Sequence, residues 1–213
     1  MAEPRLRIAV PRGALMGECL DLLDAIGIDT REVRENDRKL LFEAAGIITM
    51  RPSDVPTYVE AGAADVGITG KDVLMEQSER DVHELLDLGF GRCVMVVASR
   101  SGEDPAADAL RRLGLIRIAT KYPKIANAHY ALSGRQVEIV EVKGSVELAP
   151  LTGMVDAIVD LTATGTTLRE NDLVIREEVA VSTARLIANP VSDRLKAAAI
   201  DELVRDLKAG GRR

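Results

Sequence analysis

Apolar residues in this chain fall in short blocks, not long stripes. Residues 94–98 and 157–159 are continuous apolar runs, and 6–10, 65–69, 116–119 and 137–142 are short, mainly apolar segments that carry one or two charged residues. Such runs read as buried strands, as in a parallel sheet. Two further strands, 39–45 and 47–51, join near Gly46. Helical stretches alternate with the strands. One covers 17–26 and stops at Gly27; another starts at Ser53 or Asp54 as N-cap, carries Pro56 in its first turn and ends near Gly62. Others are predicted at 71–76, at 105–113, from Tyr122-Pro123 to Leu132, and at 146–151, capped by Ser145 and stopped by Gly153. Residues 173–188 read as one or two strands returning toward the first half of the chain. Ser192 or Asp193 caps a last amphipathic helix, 194–207, whose Leu195, Ala198, Ala199, Ile200, Leu203, Val204 and Leu207 have helical spacing, and 209–213 reads as a frayed tail.

Strand, loop and helix in repeated alternation predict an α/β fold. The pattern divides into domain I, 1–93 plus 180–213, and domain II, 94–179. Two connecting segments between two lobes suit a cleft that closes around a ligand by hinge motion.

Composition narrows the classes. Of 213 residues, 46% are hydrophobic and only 2% aromatic, so Ile, Leu, Val and Ala must fill the core. The net charge of −6 argues against a general nucleic-acid binder. Two cysteines, Cys19 and Cys93, and two histidines, His83 and His129, lack metal-ligand spacing. No apolar run approaches the roughly 20 residues of a membrane helix, and the start of the chain lacks the apolar core of a signal peptide. These features predict a soluble cytoplasmic protein that binds neither nucleic acid nor membrane.

The densest chemistry lies at 156–168, DAIVDLTATGTTL. A buried strand runs into Thr162, Ala163, Thr164, Gly165, Thr166 and Thr167. A hydroxyl-rich turn with a glycine can cradle phosphate through backbone N–H groups and hydroxyls. The alternative is a threonine-rich turn without a ligand, since short Gly/Thr motifs are permissive. It is neither a Walker loop nor G-x-G-x-x-G. Asp160, at the strand's end, could accept hydrogen bonds from sugar hydroxyls or hold a metal's water shell. Other strand ends carry positive charge. Arg12 follows the first strand, Arg51 precedes a helix N-terminus, and Lys121-Tyr122 stands where a strand gives way to a helix whose dipole suits an anion. Arg12 reads equally as a solvated surface residue. Gly89-Phe90-Gly91-Arg92-Cys93 suggests a tight backbone path beside a ligand; Cys93 reads as a small buried residue, since no nearby histidine would activate it as a nucleophile.

The segment 143–171, KGSVELAPLTGMVDAIVDLTATGTTLREN, resembles the signature of the ATP phosphoribosyltransferase family, the first enzymes of histidine biosynthesis. The blocks LRIAVPRG, RPSDVPTYVEAGAADVGITGKDVL, LDLGFGRC and RIATKYP match the family in order, so the resemblance covers nearly the whole chain. It is similar to the short form, which lacks the C-terminal histidine-binding domain. The resemblance implies a two-lobed, type II periplasmic-binding-protein-like α/β fold with the substrate cleft between lobes. It implies transfer of phosphoribosyl from phosphoribosyl pyrophosphate to N1 of ATP. Asp160 and Thr162 to Thr167, with Glu147, would hold phosphoribosyl pyrophosphate. Arg12, Gly13, Arg51, Gly91, Arg92, Cys93 and Tyr122 would face ATP, and Asp160, Arg92 and Lys121 would be catalytic. Mg²⁺ would be held mainly by substrate phosphates, with no protein metal ligand assigned. A homodimer within a hetero-octamer is implied, the other subunit being a regulatory protein that resembles histidyl-tRNA synthetase. The chain departs from the family at Ala14, where an arginine is usual. The competing function is a non-catalytic two-lobed receptor for a small anion. Another phosphoribosyltransferase is a third reading; many of those place two adjacent acidic residues before the phosphate turn, whereas Asp156 and Asp160 are separated here.

Overall fold

The computed structural model describes residues 6–210. In chain order the first elements are β1 (Ile8–Pro11), α1 (Met16–Ala25), α2 (Arg31–Glu35), β2 (Leu41–Phe42), β3 (Ile47–Met50), a 3-10 turn (Pro52–Asp54), α3 (Val55–Glu60), β4 (Val66–Gly70), α4 (Lys71–Glu76) and β5 (His83–Asp87). They are followed by β6 (Cys93–Arg100), α5 (Pro105–Leu113), β7 (Ile116–Thr120), α6 (Pro123–Leu132), β8 (Val137–Glu141), α7 (Leu148–Leu151), β9 (Ala157–Thr162) and α8 (Thr166–Glu170). The chain ends with β10 (Leu173–Ser182), β11 (Ala184–Ala188), α9 (Pro190–Leu195) and α10 (Ala197–Gly210).

The described residues form two compact units, one of residues 6–91 with 183–210 and one of 92–182. In the first, six strands lie in the order β2-β3-β1-β4-β11-β5. β1 runs parallel to β3 and β4, so the residues after these three strands emerge at one end of the sheet. Strand alternation sends Ile8, Val10 and Ile47 to one face, against Leu20 and Leu23 of α1 and Ile200, Leu203 and Leu207 of α10. Ala9 and Ile187 face the other way, onto Val55 and Val59 of α3. Asp65 secures the return of the chain: its carboxylate accepts from the Arg7 N–H, the Ser192 hydroxyl and Lys196 Nζ, each within 2.8 Å.

In the second unit, five strands lie in the order β10-β6-β9-β7-β8. β7 pairs in parallel with β8 and β9, while β6 runs antiparallel to β9. The end of β9 and the start of β6 are therefore neighbours: Thr162 stands opposite Val94. Val96, Ile158, Leu168 and Leu173 form the core with Val146 and Ala149.

Several local expectations change. The predicted strand at 39–45 shortens to Leu41–Phe42, because 43–46 turn back through Gly46 at φ 70°. Ser53 and Asp54 lie inside a 3-10 turn and give no side-chain cap to α3. Ser145 does not cap α7, which starts at Leu148 after Glu147. The final helix is two helices. Asn189, and neither Ser192 nor Asp193, caps the first, its Oδ1 accepting from the N–H groups of Val191 and Ser192 at 2.9 Å. Residues 209 and 210 continue α10 where fraying was predicted; 211–213 lie outside the described residues.

Candidate active site

β9 delivers the chain into the threonine-rich turn, and Leu168 anchors its far side in the core. Gly165 lies between strand and helix with φ +71°, a left-handed conformation that costs other residues roughly 1–2 kcal/mol. Its N–H is turned inward and donates to Thr162 Oγ1 at 2.8 Å. This differs from the simple picture of every backbone N–H pointing at a ligand. The open donors are hydroxyls instead. Thr164 and Thr166 are exposed, and their Oγ1 atoms stand 2.9 Å apart.

Behind the turn lies Asp160, 7% exposed. Its Oδ1 accepts from the Leu161 N–H at 2.9 Å, and Lys121 Nζ stands 3.7 Å from Oδ2. Burial pushes the carboxyl above the usual carboxylate range, outweighing Lys121 and the Leu161 hydrogen bond, with Glu147 adding repulsion. Asp160 is thus a largely buried carboxyl whose nearby cation is Lys121. Sheet order explains the grouping: β7 and β9 are parallel neighbours, so Lys121, just past β7, reaches the end of β9. Thr120 Oγ1 accepts from the Tyr122 N–H at 2.9 Å and shapes the strand-to-helix corner before α6. The antiparallel register of β6 sets Cys93, and Arg92 before it, at the same end as Thr162. Cys93 is half-buried, with its Sγ 3.9 Å from the Ser182 carbonyl oxygen.

The remaining candidates belong to the first unit. Arg12 and Arg51 follow the parallel strands β1 and β3, and the Arg12 N–H donates to the Met50 carbonyl at 2.7 Å. Arg12 Nη2 donates to the Asp37 carbonyl. Both arginines line one cavity of about 500 Å³, whose apolar wall includes Leu41, Ile48, Met50 and Tyr58. Neither forms an ion pair with a described side chain, and the same holds for Arg92. Gly91, at φ +62°, lies against Leu15; a Cβ there would fall 2.1 Å from Leu15 Cδ2. That contact brings the 12–15 loop, with Gly13, beside Gly91.

Three features escaped the sequence reading. The short helix α8 was hidden because its five residues offer no period to count. Arg169, which reaches back over the turn, could have been found from its position three residues after Thr166 on that helix. The Tyr58 and Leu41 wall depends on the edge pairing of β2 with β3, which no local motif encodes. Among the described residues no cluster of three His, Cys, Asp or Glu side chains is arranged to hold a metal. No helix among them is long and apolar enough to cross a membrane.

Comparison with known proteins gives the family and the fold. Residues 51–209 match the family described as "HisG: ATP phosphoribosyltransferase". An ATP phosphoribosyltransferase of Rubrobacter xylanophilus is 51% identical over 210 residues, covering 97% of each chain. One from a Geobacillus species is 48% identical, covering 95% of this chain and 97% of its own. Among solved structures, the ATP phosphoribosyl transferase (HisG:HisZ) complex from Thermotoga maritima aligns with a TM-score of 0.82 at 34% identity, covering 97% of this chain and 98% of that one. The periplasmic aliphatic sulphonate binding protein SsuA from Escherichia coli aligns over 98% of this chain and 73% of its own with a TM-score of 0.63 at 13% identity, a likeness of fold alone. The chain has the α/β fold of two units common to these structures, and it belongs to the ATP phosphoribosyltransferase family.

Proposed function

We propose that the Asp160 turn holds the ribose 5-phosphate part of phosphoribosyl pyrophosphate, and that Arg12, Gly13, Arg51, Gly91, Arg92, Cys93 and Tyr122 face ATP. The family's reaction is the first step of histidine biosynthesis. Adenine N1 of ATP bonds to ribose C1, the C1–O bond to pyrophosphate breaks, and the configuration at C1 inverts. N1 carries a lone pair in neutral adenine, so attack needs no base; the surplus proton leaves from N6 afterwards. The protein's task is alignment and charge.

The observation that carries this reading is the placement of Asp160, a carboxyl 7% exposed beside the threonine turn with Lys121 Nζ 3.7 Å from its Oδ2. Ribose hydroxyls donating to it replace the hydration it lost on folding, so sugar binding relieves a cost built into the empty fold. The same carboxylate opposes positive charge growing at the ribose. The Thr162–Thr167 hydroxyls supply donors for the 5-phosphate, Glu147 stands near the sugar, and Lys121 and Arg92 offset the charge of the departing pyrophosphate.

The turn's side-chain donors are all oxygen, which suits a hard divalent cation such as Mg²⁺. The cation would be carried mainly on substrate phosphates, with the Asp160 carboxyl on the strand that leads into the turn. When bound, it supplies charge neutralisation to the pyrophosphate. We also place the chain in the cytoplasm, as a dimer in a hetero-octamer with a regulatory subunit resembling histidyl-tRNA synthetase; the HisG:HisZ complex from Thermotoga maritima supports a hetero-oligomer.

Calorimetric competition tests the assignment. Ribose 5-phosphate should compete with phosphoribosyl pyrophosphate for the wild-type protein, and Asp160→Asn should weaken both. Equal affinity of wild type and variant for both ligands would overturn it.

A further inference from the structure

We infer that Arg169 is a positioning residue for the phosphate turn: it fixes the direction of a chain of hydroxyl donors that ends on the substrate phosphate. The inference rests on the assignment of the turn to phosphoribosyl pyrophosphate. It begins with the fork of the guanidinium. Arg169 Nη1 donates to the Thr164 carbonyl at 2.9 Å, and Nη2 donates to Thr166 Oγ1 at 2.9 Å. One planar group therefore bridges the backbone before Gly165 and the side chain after it.

The consequence is directional. Arg169 has only donors, so Thr166 Oγ1 must accept from it. A hydroxyl that already accepts from a cation donates more strongly and accepts a second time less readily, which directs the Thr166 hydrogen to its neighbour, Thr164 Oγ1, 2.9 Å away. Thr164 Oγ1 also receives the Thr166 N–H at 3.4 Å. With its lone pairs occupied, Thr164 is left with its own O–H to offer, and its exposed side chain offers it outward. The chain runs from Arg169 to Thr166 to Thr164 to the ligand. Each donor is polarised by the one before it, and the first carries a full positive charge. Without Arg169, either hydroxyl can take either role, and the turn presents a lone pair to an anion as readily as a proton.

Gly165 fits this role independently of its φ. A Cβ on it would lie 3.1 Å from Arg169 Nη1, so the glycine makes room for the guanidinium to cross the turn. The remaining side-chain bond, from Asn171 Nδ2 to the Thr167 carbonyl at 2.8 Å, closes the helix without engaging the hydroxyls.

The test uses the full chain with its regulatory subunit, and reads the KM for phosphoribosyl pyrophosphate, kcat and thermal unfolding. Arg169→Met should raise that KM about tenfold, a charge-assisted hydrogen bond discounted for exposure, with kcat and the unfolding temperature near wild type. Thr166→Val should do the same, and the double variant should be no worse than either single one. Arg169→Lys should remain impaired, because the ammonium lacks the planar fork whose two nitrogens reach the Thr164 carbonyl and Thr166 Oγ1 together. Wild-type KM in Arg169→Met, additive losses in the double variant, or full rescue by lysine would each overturn the relay. Asp160→Asn, measured beside them, separates the two failures. Loss there with a normal Arg169→Met leaves the turn assignment standing and removes the relay; normal behaviour of Asp160→Asn removes the assignment itself.

Discussion

Replacing Asp160 by asparagine should make the protein more stable and much less active. Asparagine keeps the shape and the Oδ1 acceptor that receives the Leu161 N–H at 2.9 Å. What it removes is a charge in a position that is 7% exposed. The attraction lost is that of Lys121 Nζ at 3.7 Å, about 1–4.5 kcal/mol for effective dielectric constants of 80 to 20, and the lysine side chain's 40% exposure favours the lower end. The desolvation regained is several kcal/mol for an ion moved out of water. Burial is the larger effect, because the carboxyl is held above its ordinary range in spite of the lysine. The net gain should be about 0.5–2 kcal/mol, the usual scale for relieving a functional compromise, or a rise in Tm on the order of 1–8 °C. The pH dependence has a definite sign. A carboxyl raised in the folded state costs nothing while protonated and costs stability increasingly as pH climbs from its unfolded value through its folded one. The Tm gap between variant and wild type should therefore close in acid and open toward neutral pH. Activity moves the other way: each lost charged hydrogen bond to a ribose hydroxyl, roughly 1.5–3 kcal/mol, lowers kcat/KM about tenfold to over a hundredfold. Differential scanning calorimetry from acid to neutral pH, with kinetics on the same samples, reads both. A variant less stable than wild type at neutral pH, or one of unchanged kcat/KM, would refute the reasoning.

Other perturbations separate the remaining parts. Gly165→Val places a β-branched residue at φ +71° and a Cβ 3.1 Å from Arg169 Nη1, so binding of phosphoribosyl pyrophosphate should be lost while circular dichroism reports an intact fold; wild-type affinity would count against the turn. Arg51→Ala removes a cation that lines the first unit's cavity without an ion pair among the described residues, so KM for ATP should rise about tenfold with Tm unchanged; an unaltered KM would exclude Arg51 from the nucleotide site. Cys93→Ser should keep substantial activity, and complete loss in a folded protein would revive covalent catalysis.

The sequence made the parallel strands and the Asp160 turn legible because each is local: an apolar run, then polar residues suited to its end. The extents of α5 and α4 were readable for the same reason, with Pro105 and Gly114 bounding one and Gly70 preceding the other. The nearness of Lys121 to Asp160 follows from the β7–β9 pairing, and that of Cys93 to Thr162 from the antiparallel β6. Both are non-local facts that no motif spacing records. Arg169 was legible only once α8 existed, since an arginine three residues past a threonine meets it on a helix but not in a loop. Asn189 was overlooked as a cap because Ser192 and Asp193 offered the same chemistry nearer the apolar run; Pro190 at the first helical position was the signal that decided it.

The most direct test of the account is ultraviolet absorbance of the purified chain with ATP, phosphoribosyl pyrophosphate and Mg²⁺, with pyrophosphatase present to draw the reaction forward, run with and without the regulatory subunit. The account predicts a rise in absorbance as phosphoribosyl joins adenine N1, requiring both substrates and abolished or greatly slowed in Asp160→Asn. Full-rate product formation by Asp160→Asn, or no product from folded wild-type protein in either condition, would contradict it.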